Sequence, residues 1–275
     1  MEPIKIMVNG IPGNVASNIA KHVLDDKRFQ LLPYSLTGPE ITDSSTKIDS
    51  FTITLIHHME QDKKINEIKE KEGAFITIDF THPTAVNSNA DFYCNHNLPF
   101  IMGTTGGDRK LLETTVTSSS CIAIIAPNMA KQIIGFQAMM EYASKTFPDL
   151  FKGYSLEIKE SHQNGKADTS GTAKEMVKHF NNLGMEFSEE QIQKERNPEV
   201  QKNSWKIPEQ YLSGHAWHTY TLTSEDKTAA FSFSHNINGR DIYSLGTLDG
   251  AIFLHKKINL GIHGKVFTMI DVLQG

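Results

Sequence analysis

The segment Glu160 to Ala173, ESHQNGKADTSGTA, sets a histidine, a lysine, an aspartate and a Ser-Gly-Thr turn close together, directly before a helical pattern. Ser170, Gly171 and Thr172 fall at the N-terminus expected for the helix beginning TAKEMV. Unpaired backbone N–H groups and the helix dipole make such a terminus attractive to an anion, so a carboxylate substrate would dock there. His162 ends the preceding strand and can give a proton near neutral pH, while Lys166 in the loop can balance a developing negative charge. Taken singly, a histidine is more often structural and a loop lysine only solvated. Placed together at an anion site, the two suit the reduction of an unsaturated acid. Asp168 is expected to order the loop or cap the helix.

A second group of chemically marked residues lies near the start. The first strand-to-helix turn, NGIPGNVASNIA, places Gly10, Gly13 and Ala16 in the order G-x-x-G-x-x-A. Glycines there let the backbone turn tightly and approach a pyrophosphate, with Asn14 and Val15 opening the helix behind it, and a small residue at Ala16 permits close packing of helix on sheet. An ordinary glycine-rich turn is the competing reading, because the pattern departs from strict G-x-G-x-x-G. The next strand region ends in Ser35 and Thr37 where many NAD enzymes have an acidic residue, so NADH and NADPH both stay open. Two further strand ends carry Phe80 and Thr81 (IDFTHP) and Gly103, Thr104 and Thr105 (IMGTTGGD). Ligands of open α/β sheets bind beyond the carboxyl ends of the strands, so these turns would line a dinucleotide. Either threonine alone would serve equally as a helix cap.

The elements that must position these groups are visible in the periodicity. IKIMV, FQLLPYS, FTITLI, AFITIDFT, PFIMGTT and CIAIIAPN read as strands, several of them with consecutive apolar residues, and helical stretches such as Asn14 to Leu24 and Thr84 to Asn95 lie between them. Strands apolar on both faces belong to a parallel sheet covered by helices, which predicts a doubly wound, Rossmann-like α/β half. After Asn128 the pattern changes to a long helix, the strand YSLEIKESH, a helix from about Thr172, and the alternating strands GHAWHTYTLT and AAFSFSHNI joined at SEDK. That is an α+β unit with an open sheet. The stretch SEEQIQKERNPEVQKNSW has a helical charge pattern with a proline stop. In HAWH, His215 and His218 face opposite sides of a strand and do not share a metal, and no metal site is expected.

With 275 residues, a net charge of −5 and 39% hydrophobic residues, the chain is globular and has no general attraction to nucleic acid or anionic membrane. No apolar run is long enough to span a bilayer. Cys94 and Cys121 lack metal-binding spacing and read as buried thiols of a reducing compartment. With no signal-peptide pattern before the first strand, the cytoplasm is the expected location.

The motifs NGIPGNVA, DFTHPTAV, PFIMGTTGGDR, APNMAKQ, ESHQNGKADTSGTA, LSGHAWH and HNINGR, in this order, closely resemble dihydrodipicolinate reductases, the 4-hydroxy-tetrahydrodipicolinate reductases of lysine and diaminopimelate synthesis. GTTGGDR and ESHQNGKADTSGTA look more like the plant-type branch. The resemblance implies reduction of a cyclic dicarboxylate by NADPH or NADH, with His162 the acid, Lys166 its cationic neighbour, and Ser170, Gly171 and Thr172 gripping a substrate carboxylate. It further implies that Gly10 and Gly13 hold the pyrophosphate, that Gly103 and Thr105 lie by the nicotinamide, and that Ala126, Pro127, Asn128 and Met129 lie where cofactor and substrate meet. A dinucleotide-binding domain of residues 1–129 and 241–275, a substrate-binding and tetramerisation domain of 130–240, and a homotetramer follow from the same resemblance. The chain departs from the common bacterial form in three places. Gln163 replaces a second histidine, the proline before the Ser-Gly-Thr turn is missing, and Asn14 stands where arginine or lysine is frequent. A related dehydrogenase of another small substrate, or a noncatalytic dinucleotide sensor, are the alternatives.

Overall fold

The computed structural model describes residues 2–275. In chain order the elements are β1 (Ile4–Asn9), α1 (Asn14–Asp25), β2 (Phe29–Leu31), β3 (Tyr34–Leu36), β4 (Ser45–Ile48), β5 (Phe51–Ile56), α2 (Gln61–Glu72), β6 (Ile76–Asp79), α3 (Val86–Asn95), β7 (Phe100–Met102), α4 (Arg109–Thr117) and β8 (Ile122–Ile125). Next come α5 (Lys131–Thr146), β9 (Ser155–His162), α6 (Gly171–Asn182), β10 (Gln193–Glu195), α7 (Pro198–Asn203), β11 (His215–Thr223) and β12 (Ala230–Asn238). The chain finishes with α8 (Asp241–Asn259), β13 (Lys265–Phe267) and α9 (Met269–Gln274). It divides into two compact units, one running up to Lys131 and resuming over Asp241–Gly275, the other spanning Gln132–Arg240.

The first unit holds a six-stranded sheet in the order β13-β8-β7-β6-β1-β2, parallel throughout. Ile6, Met7, Val8, Ile76, Ile78, Phe100, Ile101, Met102, Ala123 and Ile124 are all buried, as expected of strands covered on both faces. FQLLPYS is not one strand. Pro33 cannot donate to a ladder, and the chain turns there, with the Tyr34 amide bonded to the Leu32 carbonyl at 2.8 Å. Its first half becomes β2, paired with β1, and its second half β3, paired with β5 in a separate sheet β3-β5-β4. Cys94 and Cys121 are free and buried, and the Cys121 thiol donates to the Leu98 carbonyl at 2.9 Å.

Helix α8 completes this unit through glycines. A Cβ on Gly246 would lie 1.8 Å from the Met129 carbonyl oxygen, and one on Gly250 would meet Ile124 and Ile101 at 3.3 and 3.6 Å. The helix backbone therefore lies directly on the chain leaving β8, and Lys131 and Asp249 form an ion pair at 2.5 Å beside that contact.

In the second unit the sheet order is β10-β9-β11-β12, with β9, β11 and β12 antiparallel neighbours and β10 parallel to β9. Helix α6 packs Ala173, Met176, Val177 and Phe180 into a core with Ile158, Tyr220 and Leu222. The charged stretch 188–205 is not the helix its charges suggest. It supplies the edge strand β10 and then the short helix α7, which Pro198 starts in its first turn, where a missing N–H costs nothing. Asn197 caps that helix by accepting from the Glu199 amide at 2.9 Å.

Gly246→Ala is expected to lower the stability of the first unit by about 1–3 kcal/mol, the usual cost of overpacking a site that cannot move aside. Urea unfolding followed by circular dichroism measures it, and an unchanged midpoint would show that α8 does not sit on the chain at Met129.

Candidate active site

In the first unit the marked residues converge at the carboxyl ends of β1, β6 and β7. Gly10 has φ +98°, and a Cβ there would lie 2.3 Å from the Phe80 carbonyl oxygen; at Gly13 it would lie 2.8 Å from the Gly10 carbonyl. Helix α1 follows with no side-chain cap and no acidic residue in its first turn, so its leading amides are left for an anion. Ser35 is buried and its hydroxyl accepts from the Ile11 amide at 3.2 Å, which braces the glycine loop from behind. The Phe80 ring packs where a Gly103 side chain would stand, 2.1 Å from the ideal Cβ.

Asp79 ties these strand ends together. Its carboxylate is fully buried and accepts from the Thr81 amide and hydroxyl (3.2 and 2.9 Å), the Thr104 hydroxyl (2.9 Å), Asn89 Nδ2 (2.9 Å) and the Tyr93 hydroxyl (2.6 Å). Burial, then the adjacent Asp79 charge, pushes the Tyr93 hydroxyl well above its ordinary pKa, so it remains a donor. Asn9 donates to Tyr93 at 3.0 Å and accepts from the Leu36 amide at 3.0 Å, extending the network to β1 and β3. Thr81 and Thr104 thus turn their hydroxyls inward, while Thr105 stays exposed. Past β8, Ala126 and Met129 are buried, Pro127 is exposed, and Asn128 accepts from the Ala130 amide at 2.9 Å.

In the second unit, Glu160 and His162 project from the same face of β9. Glu160 is fully buried; it pairs with Arg196 and accepts from the Ser170 amide at 3.0 Å. Arg196 also donates to the carbonyls of Lys166 (2.8 Å), Glu195 (2.9 Å) and Asp168 (3.3 Å). One guanidinium therefore shapes the loop that carries Lys166 and leads into α6. That helix starts at Gly171 with Ser170 as its N-cap position and no side-chain cap, again leaving amides open. Asp168 does not cap it; it accepts from Lys166 Nζ at 2.8 Å, and this bond lowers its pKa.

His162 is buried at 7% exposure, and its Nε2 lies 3.0 Å from Nε2 of His218. Burial first, then the Arg196 and Lys166 cations, bring its pKa down to about 4, so the ring is neutral at pH 7. Gln201 holds the His162 carbonyl from below, Nε2 to O at 2.7 Å. On the opposite face of the sheet, His215 Nδ1 donates to the Tyr211 carbonyl at 3.0 Å and Nε2 accepts from the Ser161 hydroxyl at 2.8 Å. Glu160, His162 and His218 offer ligand atoms within 4.8 Å of one another, but Arg196 and the Ser170 amide engage the carboxylate and the two rings bond each other. The group reads as an internally paired network.

Sequence reasoning missed Asp79, Glu160, Arg196 and His218. For His218 a signal existed. Register pairs Glu160 with His218 and His162 with Ala216, so once β9 and β11 are recognised as neighbours, the alternation puts His218 on the His162 face.

Comparison with known proteins agrees with this architecture. Residues 4–129 match the family described as Dihydrodipicolinate reductase, N-terminus, and residues 133–273 the one described as Dihydrodipicolinate reductase, C-terminus. The chain is 42% identical to a probable 4-hydroxy-tetrahydrodipicolinate reductase 1, chloroplastic, of Oryza sativa subsp. japonica, over 98% of this chain and 78% of that one. It is also 42% identical to 4-hydroxy-tetrahydrodipicolinate reductase 2, chloroplastic, of Arabidopsis thaliana, over 98% and 77%. Among solved structures, a dipicolinate-bound dihydrodipicolinate reductase from Paenisporosarcina sp. TG-14 shares the fold with a TM-score of 0.65, 17% identity and 97% coverage of both chains.

The buried histidines give the second unit a defined acid sensitivity. Well above the ordinary histidine pKa of about 6.5 each ring is neutral whether folded or unfolded and contributes nothing. As pH falls from 6.5 towards 4, the unfolded chain takes up a proton that the folded chain resists, so stability is lost across that window. His162 and His235 are both held at about 4, chiefly by burial, and His215 and His218 are lowered the same way. Each histidine adds at most about 1.4 kcal/mol per pH unit to the slope. Denaturant titrations at pH 7.5 and 5 should show the loss, and His235→Phe should reduce it; equal stability at both pH values would contradict the burial of these rings.

Proposed function

Because the chain belongs to the dihydrodipicolinate reductase family, we infer that it reduces 4-hydroxy-tetrahydrodipicolinate to tetrahydrodipicolinate with NADH or NADPH, in the route to lysine and diaminopimelate. The observation that carries this reading is the pair of open helix starts, one behind a glycine cradle and one behind the His162–Lys166 loop. A pyrophosphate fits the first, since Gly10 and Gly13 let the loop turn tightly against the Phe80 and Gly10 carbonyls, where any side chain would clash, and the α1 amides behind it are open. Gly10, Gly13, Asn14 and Val15 would hold it, with Ser35 acting through the loop, Phe80, Thr81, Gly103, Thr104 and Thr105 shaping the floor, and Ala126 to Met129 closing the far end. When bound, the reduced nicotinamide supplies the hydride.

The residues of the second unit do the rest. One substrate carboxylate is received by the Gly171 and Thr172 amides at the start of α6 with the Ser170 hydroxyl beside them, and Lys166 exchanges its Asp168 partner for substrate charge. The reaction consumes one hydride and one proton and releases the substrate hydroxyl as water. His162 donates that proton. Its pKa is low because it is buried beside two cations, and a dicarboxylate that pairs with Lys166 removes part of the cause. Substrate binding thereby prepares its own acid. A related dehydrogenase would not need the two carboxylate contacts, and a noncatalytic sensor would not need His162 or Lys166.

The proposal extends to a homotetramer and to the cytoplasm. Met139, Tyr142, Phe147, Leu150 and Phe231 of the second unit are exposed and apolar, which supports assembly. The two free thiols support a reducing compartment. Among the described residues no helix is long and apolar enough to cross a membrane.

The test supplies substrate in situ from the preceding synthase, with pyruvate and aspartate semialdehyde, and follows NADH and NADPH oxidation separately. Oxidation that depends on the synthase is expected; cofactor binding without it would favour the sensor. His162→Ala should lower kcat by about 10²- to 10⁴-fold with cofactor affinity retained. Lys166→Ala should raise KM, lower kcat, or both, and no change in either would leave it a surface lysine. Sedimentation of the purified protein measures the assembly.

A further inference from the structure

Behind His162 runs a line of groups that the reaction does not itself require. His162 Nε2 lies 3.0 Å from His218 Nε2, His218 Nδ1 lies 3.1 Å from the Tyr220 hydroxyl, and that hydroxyl lies 3.3 Å from His235 Nε2. All are packed against the β9, β11 and β12 sheet, and Tyr220 is fully buried against Phe136, Phe180 and the His235 ring. Each neutral imidazole has one donor and one acceptor nitrogen, and a hydroxyl donates once, so the whole line must point one way or the other.

Its far end decides the direction. Among the described residues the buried His235 Nδ1 has no partner, and a buried N–H without an acceptor is less tolerable than a free lone pair. The proton of His235 therefore sits on Nε2. That end demands one sequence, which leaves the His162 proton on Nδ1: His235 Nε2–H to Tyr220 oxygen, Tyr220 O–H to His218 Nδ1, His218 Nε2–H to His162 Nε2.

We propose that His218, backed by Tyr220 and His235, is a positioning residue for His162, fixing the ring as the Nδ1–H tautomer and setting its plane before substrate arrives. The charged and titratable groups around His162 are Glu160 from its own strand, Arg196 and Lys166 from the loop side, His218 from β11 on the same face, and His215 from β11 on the opposite face. None of them except His218 meets its Nε2 within the hydrogen bonds of the described residues. The role matters to turnover only if His162 is the acid, so this part rests on the reading above.

Histidine ¹⁵N NMR of the whole protein at pH 7.5 tests the tautomer without any substrate. His162 is expected with its proton on Nδ1 in the wild type and as a mixture in Tyr220→Phe, which keeps the ring and removes only the hydroxyl. In the coupled assay, Tyr220→Phe and His218→Phe should lower kcat roughly tenfold, a fraction of the worth of a general acid, with KM for the cofactor unchanged. His218→Gln, which can still donate, should recover most of it. A proton on Nε2 of His162 in the wild type would overturn the proposal even if no variant folds. Unchanged kcat in both folded variants would overturn it too. A wild type that reduces no substrate but shows the Nδ1–H tautomer would sink the reductase reading and leave the positioning intact.

Discussion

A carboxylate buried at the end of a strand costs several kcal/mol unless donors meet its oxygens, and this protein accepts that cost in each unit. In the second unit it is Glu160, held by Arg196 and the Ser170 amide. Those contacts fix the end of β9, the course of the Lys166 loop and the first turn of α6 together. In the first unit Asp79 does the same for β6, the Thr104 turn and α3 through five donors. Remove either carboxylate and its donors are left buried without an acceptor, which is a worse state than exposed polar groups in water.

The same logic separates what was legible in the sequence from what was not. Gly10 and Gly13 could be read because the constraint on them is local, a tight turn between a strand and a helix. The Ser170 turn could be read because a helix start announces itself by its neighbours. Glu160 and Arg196 lie 36 residues apart, and the arginine sits in a stretch whose alternating charges imitate a solvated helix. Only the parallel pairing of β10 with β9 brings them together, and three residues of strand carry little periodicity of their own. Asp79 lies inside IDFTHP, but nothing in a linear reading marks the one side chain on which the other strand ends depend.

Histidines in the second unit illustrate a tension between stability and chemistry. Burying His162 and its neighbours keeps the rings neutral and their hydrogen bonds directional, which favours a single arrangement of the strands. The same burial keeps the His162 ring unprotonated at neutral pH. Of the two cations that help depress the His162 pKa, Arg196 is spent on Glu160 and the loop carbonyls, whereas Lys166 is paired only with the exposed Asp168.

The first unit is built from two separated lengths of chain, with the second unit inserted between them. During synthesis, Gln132–Arg240 is complete while the six-stranded sheet still lacks β13 and the face of β8 still lacks α8. The inserted unit is thus free to fold first, and the nucleotide-binding core waits with an open edge and an uncovered apolar face until Asp241–Gly275 emerges. For this chain, the interval between those two events is when aggregation competes most strongly with folding, and a chaperone would be engaged by the first unit rather than the second.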